Sequence, residues 1–554
     1  MTAPTNDQTP KLLELIAQLQ QQNLLLQEQN AKLESRVKEL ENEITRLKKL
    51  NPQPDIKANC PSKADEKSED LSQSVDDVDV QEMSTLEVDR PKESTPRYRT
   101  QPARPPVTEV QRIAPDVIPE GSVRNGCSPF FVQELEIQAK TIQYQLEQWL
   151  TPEGKTISGR PPESLQGHHF GCQLQAFILM QHHGCAVTQP LLLDQLWEMG
   201  ISISNAQLSN LLTKGHDRFH VEKKELLTAG IRHSHYIQVD DTGDRHKGQN
   251  GYCTVITNDL FTWFDSTSSK SRANYLSLLH SPWSTYVLND EALTYLEQCK
   301  LAKKWLKKLS ECKGIHFFDK EALEAFMTDI GLDGPKLRQT VCSGILYGSL
   351  IHHGFDQEIT TFSDGAQQFN VFQHAQCWLH AGRPLEKVIP VNQQQVNAQY
   401  SCLTFFWALY RDLKAYKEKP SQEQADAIRQ GFYALTQTQT GCTGLQEALS
   451  GLLVIQDELL RVLDDPLLPL HNNLSESQIR EHVKRRKISG GTRSDAGRQS
   501  RDTFASLKKT CRQHGFSFWG YLKDRLMGTG SIPRLSDVIK YVSCWLPCGS
   551  SRSF

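Results

Sequence analysis

The amino-acid sequence predicts a mixed α/β fold with large helical insertions, preceded by a coiled coil, a linker and smaller units. Three features predict this architecture: a leucine heptad near the start, short β-rich runs that lead into acidic residues, and long helical stretches between those runs. With 554 residues the chain is too long for one hydrophobic core, so about three or four structural units are expected.

Composition limits the classes of function. The formal net charge is -3, so only a local basic patch, and not the whole chain, would predict a nucleic-acid partner. The sequence has no apolar run of the roughly 20 residues that a membrane span needs, and its start lacks the pattern of a signal peptide. We therefore expect a cytoplasmic protein with no membrane partner, whose 14 cysteines are reduced thiols.

A heptad repeat occupies residues 9–50. Leucine recurs every seven residues, and the alternate seam positions include two asparagines. A buried asparagine satisfies its amide against the same residue of a parallel partner, and leucine at d with β-branched residues at a favours two strands. The pattern predicts a parallel leucine zipper that forms a homodimer or a higher oligomer. Its seam consists of Leu12, Leu19, Asn23, Leu26, Asn30, Leu33, Leu40 and Leu47.

Two segments of different composition follow the zipper. Residues 51–115 are rich in Pro, Ser and charged residues and nearly free of aromatics, so they are predicted to be a disordered linker. Residues 116–165 contain partly alternating runs at 130–137 and 144–150, followed by turn residues at Pro152–Gly154. This alternation predicts a small β-rich unit.

Residues 166–230 are predicted to form a helical unit of the helix-turn-helix type. A first amphipathic helix ends at Gly200, and Ser204 or Asn205 is a good N-cap for a second helix. In such motifs the second helix enters a groove of DNA, although many helical hairpins share the pattern. The candidate DNA-binding residues of this unit are Gln207, Asn210 and Lys214.

The run from His235 to Asp244 changes its character halfway. Apolar and aromatic residues predict a short buried strand that ends at Asp240, and three more polar residues and a glycine follow. Adjacent carboxylates repel each other, and a divalent cation would offset that repulsion. Taken alone, Asp241–Asp244 also fits a simple turn.

Two further acids stand at comparable places. Asp364 ends a short strand and precedes a glycine, and Glu476 falls in the first turn of a helix capped by Asn473 or Ser475. For Glu476 alone, interaction with the helix dipole is a sufficient explanation.

The order of these elements is that of a ribonuclease-H-like fold. Three β-rich runs, a helix, a strand, a β-run and a late helix with an acid follow one another. In that fold the strands with the two aspartates lie side by side, so their acids can share metal ions with the helical carboxylate. We expect a catalytic domain at 231–530, helical insertions at about 281–354 and 394–470, and a C-terminal tail at 531–554.

A basic stretch follows Glu476. Eleven lysines and arginines but only three acids lie between residues 480 and 512. In a chain of net charge -3 this stretch predicts a surface that faces phosphates, with a solvated charged helix as the alternative. The candidate DNA-binding residues are Arg480, Lys484, Arg485, Arg486, Lys487, Arg493 and Arg498, and the stretch continues with Arg501, Lys508, Lys509 and Arg512.

From about residue 120 to 530 the sequence resembles DDE transposases of the insertion-sequence-sixty-six family. The motifs that carry the resemblance, in family order, are Val239–Gly243, Ser363–Phe369, Cys377–Ala381, Asn472–Glu476, Gly491–Arg498 and Phe516–Arg525. The resemblance implies that Asp240, Asp364 and Glu476 form a catalytic, metal-binding triad. It also implies DNA cleavage and strand transfer at transposon ends, with target DNA and accessory proteins as further candidate partners.

Two departures from the family pattern stand out. The family's cysteine-based zinc module is missing, because only Cys60 and Cys127 precede residue 170. His471 stands where the family often has an aspartate, which puts details around the metal ions in doubt.

The implied chemistry suits the three acids. Two Mg²⁺ or Mn²⁺ ions about 4 Å apart assist in-line displacement at phosphorus, and carboxylate oxygens are their preferred ligands. Asp240 is expected to bridge both ions. Two alternatives remain at this stage: a structure-specific nuclease of the same fold, and a dimeric DNA-binding regulator with an inactive core.

Overall fold

The computed structural model describes residues 107–162 and 169–544. The predicted zipper at 9–50 and most of the predicted linker lie outside the described residues, as do the last ten residues. Within the described ranges, no helix combines the length and apolar character needed to cross a bilayer.

The structure is mixed α/β, with nine strands and eighteen α-helices in its described part. The strands are β1 Gln148–Leu150, β2 Thr156–Ser158, β3 Tyr236–His246, β4 Gln249–Thr257, β5 Thr262–Thr267, β6 Tyr286–Val287, β7 His316–Phe317, β8 Thr360–Ser363 and β9 Gln373–Gln376. The helices are α1 Cys172–Leu179, α2 Gln189–Glu198, α3 Asn205–Thr213, α4 Asp217–Arg232, α5 Arg272–His280, α6 Asp290–Gln298, α7 Lys303–Ser310, α8 Lys320–Asp329, α9 Pro335–His352, α10 Trp378–Lys387, α11 Gln393–Glu418, α12 Gln422–Thr436, α13 Thr443–Val454, α14 Gln456–Leu460, α15 Asn473–Ser489, α16 Asp495–Gln513, α17 Phe518–Met527 and α18 Leu535–Ser543.

A five-stranded mixed sheet with the order β5-β4-β3-β8-β9 forms the centre of the larger unit. Strands β3, β4 and β5 make an antiparallel meander, whereas β8 pairs parallel to β3 and β9 parallel to β8. The first three predicted β-rich runs are therefore consecutive antiparallel strands, and β3 and β8, the two strands predicted to bring aspartates together, are direct neighbours.

The two faces of this sheet are covered by different helices. Val239 and Ile256 point into the main core, where they join residues of α4 and α16. Val255, the β4 partner of Asp240, lies on the opposite face in a small cluster with Ile479 of α15. The sheet face that carries Asp240 is thus the face covered by α15.

Strand β3 is longer than the sequence suggested. The prediction ended the strand at Asp240 and allowed a turn at Asp241–Asp244, and both expectations are wrong because β4 pairs with β3 as far as His246. The turn comes at Lys247 and Gly248, whose φ angles of 51° and 79° fit a two-residue hairpin of type I′.

Helices precede and interrupt the sheet as expected. In the helical unit, α2 is followed by Gly200 with φ 76°, and Ser204 caps α3 through the backbone nitrogen of Gln207. The first insertion contains α6 to α9, together with a short ribbon of β6 and β7 that the sequence did not predict. The second insertion is helical from α11 to α14.

Two predicted segments need correction. Residues 107–147 contain neither helix nor strand, so the β-rich unit at 116–165 is reduced to the exposed hairpin β1–β2. The alternating run at 130–137 forms no strand, and its apolar side chains are exposed. In contrast, residues 531–544 are no tail, because α18 inserts Leu535 and Ile539 fully into the main core.

A smaller unit includes residues 384–407 and 439–446 among those described. Within it, the side-chain amide of Gln399 on α11 donates to the backbone oxygens of Leu385 (2.8 Å) and Val388 (2.9 Å). These bonds replace the intrahelical partners that the carbonyl groups at the end of α10 lack.

Candidate active site

Asp240 and Asp364 approach each other because of strand register. In the parallel pair, Gln238 of β3 faces Phe362 of β8. Two residues further along each chain, the same side of the sheet carries Asp240 and Asp364, since side chains alternate along a strand. The backbone therefore places the two predicted aspartates beside each other.

Glu476 reaches the same place from above the sheet. It lies in the first turn of α15, as predicted, but the N-cap is Asn472, and neither Asn473 nor Ser475 takes that role. The backbone nitrogen of Ser475 donates to the side-chain oxygen of Gln238 (3.3 Å), which fixes the start of α15 over β3. The three predicted acids thus lie together next to the carboxyl end of β8.

The electrostatics of Asp240 agree with this proximity. Burial, together with the charges of Asp364, Asp241 and Glu476, raises the pKa of Asp240 to about 7, although the backbone hydrogen bond from Asp241 lowers it. The nitrogen of Asp241 donates to Asp240 Oδ1 at 2.7 Å. A site that raises a carboxyl pKa by like charge favours a cation, because a cation relieves the repulsion.

The turn that carries Asp364 is held on several sides. Asp364 Oδ1 accepts from the backbone nitrogen of Ala366 (3.1 Å). Gly365 has φ 97°, a backbone conformation that favours glycine, and a Cβ there would displace the amide end of the Gln376 side chain. This turn is therefore specified by its own sequence and by the neighbouring strand β9.

A chain of close polar contacts supports the same turn. Ser363 Oγ lies 2.8 Å from His374 Nε2, and His374 Nδ1 lies 3.0 Å from Glu458 Oε2. Ser363 Oγ also accepts from the nitrogen of Gly365 (3.1 Å). Ser363 is fully buried, so this Ser–His–Glu chain serves to hold the turn and offers no accessible nucleophile.

Two residues near the acids were missed from the sequence. His380 Nε2 of α10 lies 3.6 Å from Glu476 Oε1. Burial and Arg383 lower the pKa of His380, while Glu476 and Asp364 oppose that shift, so the ring is close to both acids. His380 belongs to the Cys377–Ala381 motif, and that membership was the one sequence signal for it.

Lys270 is the second missed residue. Its Nζ contacts Asp241 Oδ1 at 2.8 Å, and Gln368 Nε2 donates to Asp241 Oδ2 at 2.8 Å. Burial lowers the pKa of Lys270, but the hydrogen bond and charge of Asp241, with Asp364 and Asp240, raise it overall. Both carboxylate oxygens of Asp241 are thus already paired, so Asp241 is a neighbour of the three acids and not one of them.

Asp244 has a structural role. Both of its oxygens accept from the guanidinium of Arg501 (3.1 and 2.8 Å), and His482 Nε2 lies 3.6 Å away. Although burial raises the pKa of Asp244, hydrogen bonds from His482 and Arg501 hold it well below the usual range. This buried pair joins β3 to α16.

Next to it, Cys253, His482 and Asp502 form the one group among the described residues whose three ligand atoms lie within 4.8 Å of one another. The carboxylate of Asp502 is already paired with Arg501 Nε at 3.0 Å. Burial and Asp502 keep the pKa of the Cys253 thiol well above its usual range, which opposes metal binding. The ligand atoms of Asp240, Asp364 and Glu476 do not all lie within that distance of one another.

The basic stretch divides into exposed and structural residues. Arg501 and Lys508 are buried, and Lys508 and Lys509 both pair with Glu481. Arg485 packs deeply against His183, and Arg486 donates to the backbone oxygen of Gly243. Arg501 and Lys508 are therefore buried within the fold and do not face phosphates, whereas Arg485, Arg486 and Lys509 are partly exposed and their DNA binding stays a prediction.

The exposed cations form a stripe on α15. Arg480, Lys484 and Lys487 are exposed and follow Glu476 at helical spacing, so all four side chains share one face. Arg493 is exposed beyond the helix end, and Arg498 is half-buried within 3.5 Å of Asp495. A continuous positive stripe thus leads away from the acidic site.

The helix-turn-helix candidates are also at the surface. Asn210 and Lys214 are exposed at the end of α3. Gln207 is exposed as well, but its side-chain oxygen accepts from the backbone nitrogen of Ser204 (3.0 Å) in a capping box. That bond leaves only the amide NH₂ of Gln207 for a ligand.

The donor set of the site fits Mg²⁺ or Mn²⁺. Three carboxylates from β3, the turn after β8 and α15 converge, and oxygen ligands are what these hard cations prefer. The charges of Asp364 and Glu476 both act on Asp240, since both raise its pKa.

Comparisons with known proteins agree with this picture. Residues 353–500, which include Asp364, Glu476 and most of the α15 stripe, match the family described as "Transposase IS66 family". A protein of Sinorhizobium fredii (strain NBRC 101917 / NGR234), named "Uncharacterized protein y4jO", is 40% identical over 303 residues. The aligned part covers 54% of this chain and 94% of that protein.

Proposed function

Since the chain belongs to the Transposase IS66 family, we propose that it binds the ends of an insertion sequence and cleaves and joins DNA strands there through Asp240, Asp364 and Glu476. The observation that carries the proposal is the convergence of these three acids on one face of the sheet. The strand order and the helical carboxylate support a ribonuclease-H-like catalytic core.

The three acids would act together in the proposed reaction. Asp240, Asp364 and Glu476 would hold the metal ions, and the charges of Asp364 and Glu476 act on Asp240. When bound, the two ions polarise the scissile phosphate and stabilise charge on the attacking and leaving oxygens. Lys270, next to Asp241, would offer a further positive charge to a phosphate oxygen.

The reaction consists of two displacements at phosphorus. In the first, a water oxygen forms a bond to phosphorus, the P–O3′ bond breaks, and the 3′ oxygen takes a proton. In the second, that 3′-hydroxyl attacks a phosphate of target DNA, and the target's own 3′ oxygen leaves. The exposed α15 stripe would hold the backbone of the terminal DNA, since its cations start one turn beyond Glu476.

Cleavage and joining assays test the assignment. Full-length protein with Mg²⁺ and DNA carrying the element's ends should give cleaved and joined products. Asp240→Asn and Glu476→Gln should each reduce both products at least a hundredfold, because each removes a metal ligand whose loss is not compensated nearby. Folding of the variants is checked by thermal unfolding.

Matched controls are available at exposed acids. Asp333→Asn and Glu311→Gln make the same chemical changes far along the chain from the triad and should retain full activity. An Asp240→Asn protein that cleaved like the wild type would refute the triad. Cleavage without any joined product would instead identify a nuclease of the same fold.

A further inference from the structure

The first insertion carries a surface helix whose charges the proposed reaction does not use. Residues 300–313 include six lysines and a single acid, Glu311. On α7 the apolar residue Leu309 is fully buried in the core of the insertion, where Trp305 and Leu306 pack beside it. The lysines Lys303, Lys304 and Lys307 occupy the opposite, exposed side.

This arrangement is unfavourable for the helix itself. Lys303 and Lys304 stand in the first turn, where the helix dipole disfavours cations, and that turn has no acid. Lys303 and Lys307 are four residues apart, as are Lys304 and Lys308, so like charges face each other on one surface. Glutamates at some of these positions would stabilise the helix, and their absence indicates another requirement.

Neighbouring acids relieve this repulsion only in part, since Asp290 and Glu297 line one pocket together with Lys307. Lys313 pairs with Asp290 (2.7 Å), and Lys308 donates to the backbone oxygen of Ile330 (2.9 Å). By contrast, Lys303, Lys304 and Lys307 have no carboxylate within ion-pair distance in the part of the chain that the structure describes. Lys304 Nζ lies 5.1 Å from the ring of Trp305, which orients the side chain without neutralising it.

The insertion is firmly attached to the strand that leads to Asp364. Helix α9 packs against α5 and α6, and its residues Ile345 and Leu350 are fully buried. The nitrogen of Val287 in β6 donates to Ser349 Oγ of α9 (2.9 Å). Helix α9 ends at His352, a few residues before β8, so α7 belongs to a lobe that is continuous with the catalytic sheet.

We propose that the lysine face of α7, formed by Lys303, Lys304 and Lys307, binds the phosphate backbone of duplex DNA. This inference rests on the proposed function, which makes DNA the polyanion that the protein handles. Charge complementarity supports it: an anionic backbone would remove the repulsion between the lysines and satisfy the positive end of the helix. The contact would be independent of sequence, because lysines that meet phosphates read no base edges.

Salt-dependent binding tests the proposal. The full-length double variant Lys303→Gln/Lys307→Gln is compared with the wild type for binding of a labelled duplex that carries an element end, without divalent metal. The slope of log K against log salt should become shallower by about 1.8, at about 0.9 for each lost phosphate contact. Lys303→Arg/Lys307→Arg should retain the wild-type slope.

A control with the same loss of charge gives the reference. Lys320→Gln/Lys336→Gln removes two exposed lysines of the same insertion outside α7 and should leave the slope unchanged. If Lys303→Gln/Lys307→Gln also leaves the slope unchanged while its thermal unfolding matches the wild type, the lysine face does not bind DNA. Equal slope changes in both double variants would likewise overturn the proposal, because they would reflect net charge alone.

The test separates this inference from the proposed function. An active Asp240→Asn protein together with a shallower slope for the α7 variant would refute the triad and keep the DNA-binding face. An inactive Asp240→Asn protein with an unchanged α7 slope would support the triad and refute the face.

Discussion

Single residues in this protein act mainly by holding other residues in place. His374 is the clearest case, since it joins Glu458 on α14 to Ser363, the residue before Asp364. Its ring is almost fully buried and Ser363 is fully buried, so water cannot replace the ring as the partner of Ser363. The geometry of one catalytic candidate thus depends on a residue that would not touch substrate.

Replacement of His374 should separate positioning from folding. His374→Leu leaves Ser363 and Glu458 without their shared partner, which should lower the free energy of unfolding by about 1–3 kcal/mol. The looser Asp364 turn should also raise the Mg²⁺ concentration needed for half-maximal cleavage. His316→Leu at an exposed site is the control. If the His374→Leu protein is destabilised but needs the same Mg²⁺ concentration for half-maximal cleavage as the wild type, His374 has only a structural role.

At the scale of elements, α15 combines three tasks on different faces. Its first turn presents Glu476. Its inner face packs Ile479 and His482 against the sheet, and its outer face carries the positive stripe. The adjacent helix α16 has many cations too, but it uses Arg501 and Lys508 internally. Two helices of similar composition therefore have different roles, which net charge along the sequence cannot separate.

Because α15 and α16 use their cations differently, replacing these cations with glutamine should affect DNA binding in one helix and stability in the other. Arg480→Gln/Lys484→Gln/Lys487→Gln should leave thermal unfolding nearly unchanged and make the salt slope of DNA binding shallower by about 2.7. Arg501→Gln should instead cost about 3–5 kcal/mol of stability, because it leaves Asp244 buried without its cation. Chemical denaturation and the binding assay measure the two effects. A destabilised triple variant with an unaltered slope would contradict the assignment of the stripe.

The elements also show how far sequence reasoning reaches. Helix α3 with its Ser204 cap, the meander and the placement of Asp364 follow from local patterns that the sequence displays. The length of β3 does not, because polar residues Asp241 to His246 form strand only where β4 supplies hydrogen-bond partners. His380 and Lys270 were missed for the same reason: only tertiary structure brings them to the acids.

For the molecule as a whole, buried neutral histidines link the helical unit to the catalytic sheet. His183 stacks near Phe504 of α16, with ring centroids 4.4 Å apart, and His216 approaches the same ring at 5.0 Å. Burial lowers the pKa of His182 and His216 to about 4 each, from an ordinary value of 6.5. These rings are accommodated in the folded protein only in their neutral form.

Stability should therefore fall at mildly acidic pH. A histidine with a lowered folded pKa contributes stability above pH 6.5, and that contribution is lost as the pH falls from 6.5 towards 4. Each such histidine adds a slope of about 1.4 kcal/mol per pH unit in that window. Denaturation curves from pH 7.5 to 4.5 measure it.

His216→Gln provides the comparison, since it removes one titrating ring, and His316→Gln at the surface is its control. Carboxylates with a lowered pKa affect stability only at lower pH. Lys508 and Lys509 lower the pKa of Glu481 to about 2, although its burial opposes that shift. A wild-type protein equally stable at pH 7 and pH 5 would show that these rings take up protons without cost.

Helix α18 matters for mutated copies of such a gene that end early. Leu535 and Ile539 close the main core against α4, and the backbone nitrogen of Leu535 donates to Glu222 (3.1 Å). A frameshift or stop codon shortly before codon 535 would spare every acid of the triad and the whole α15 stripe, yet it would open the core to water. When related genes are compared, an intact triad is therefore a poor sign of a working copy unless the reading frame also continues through α18.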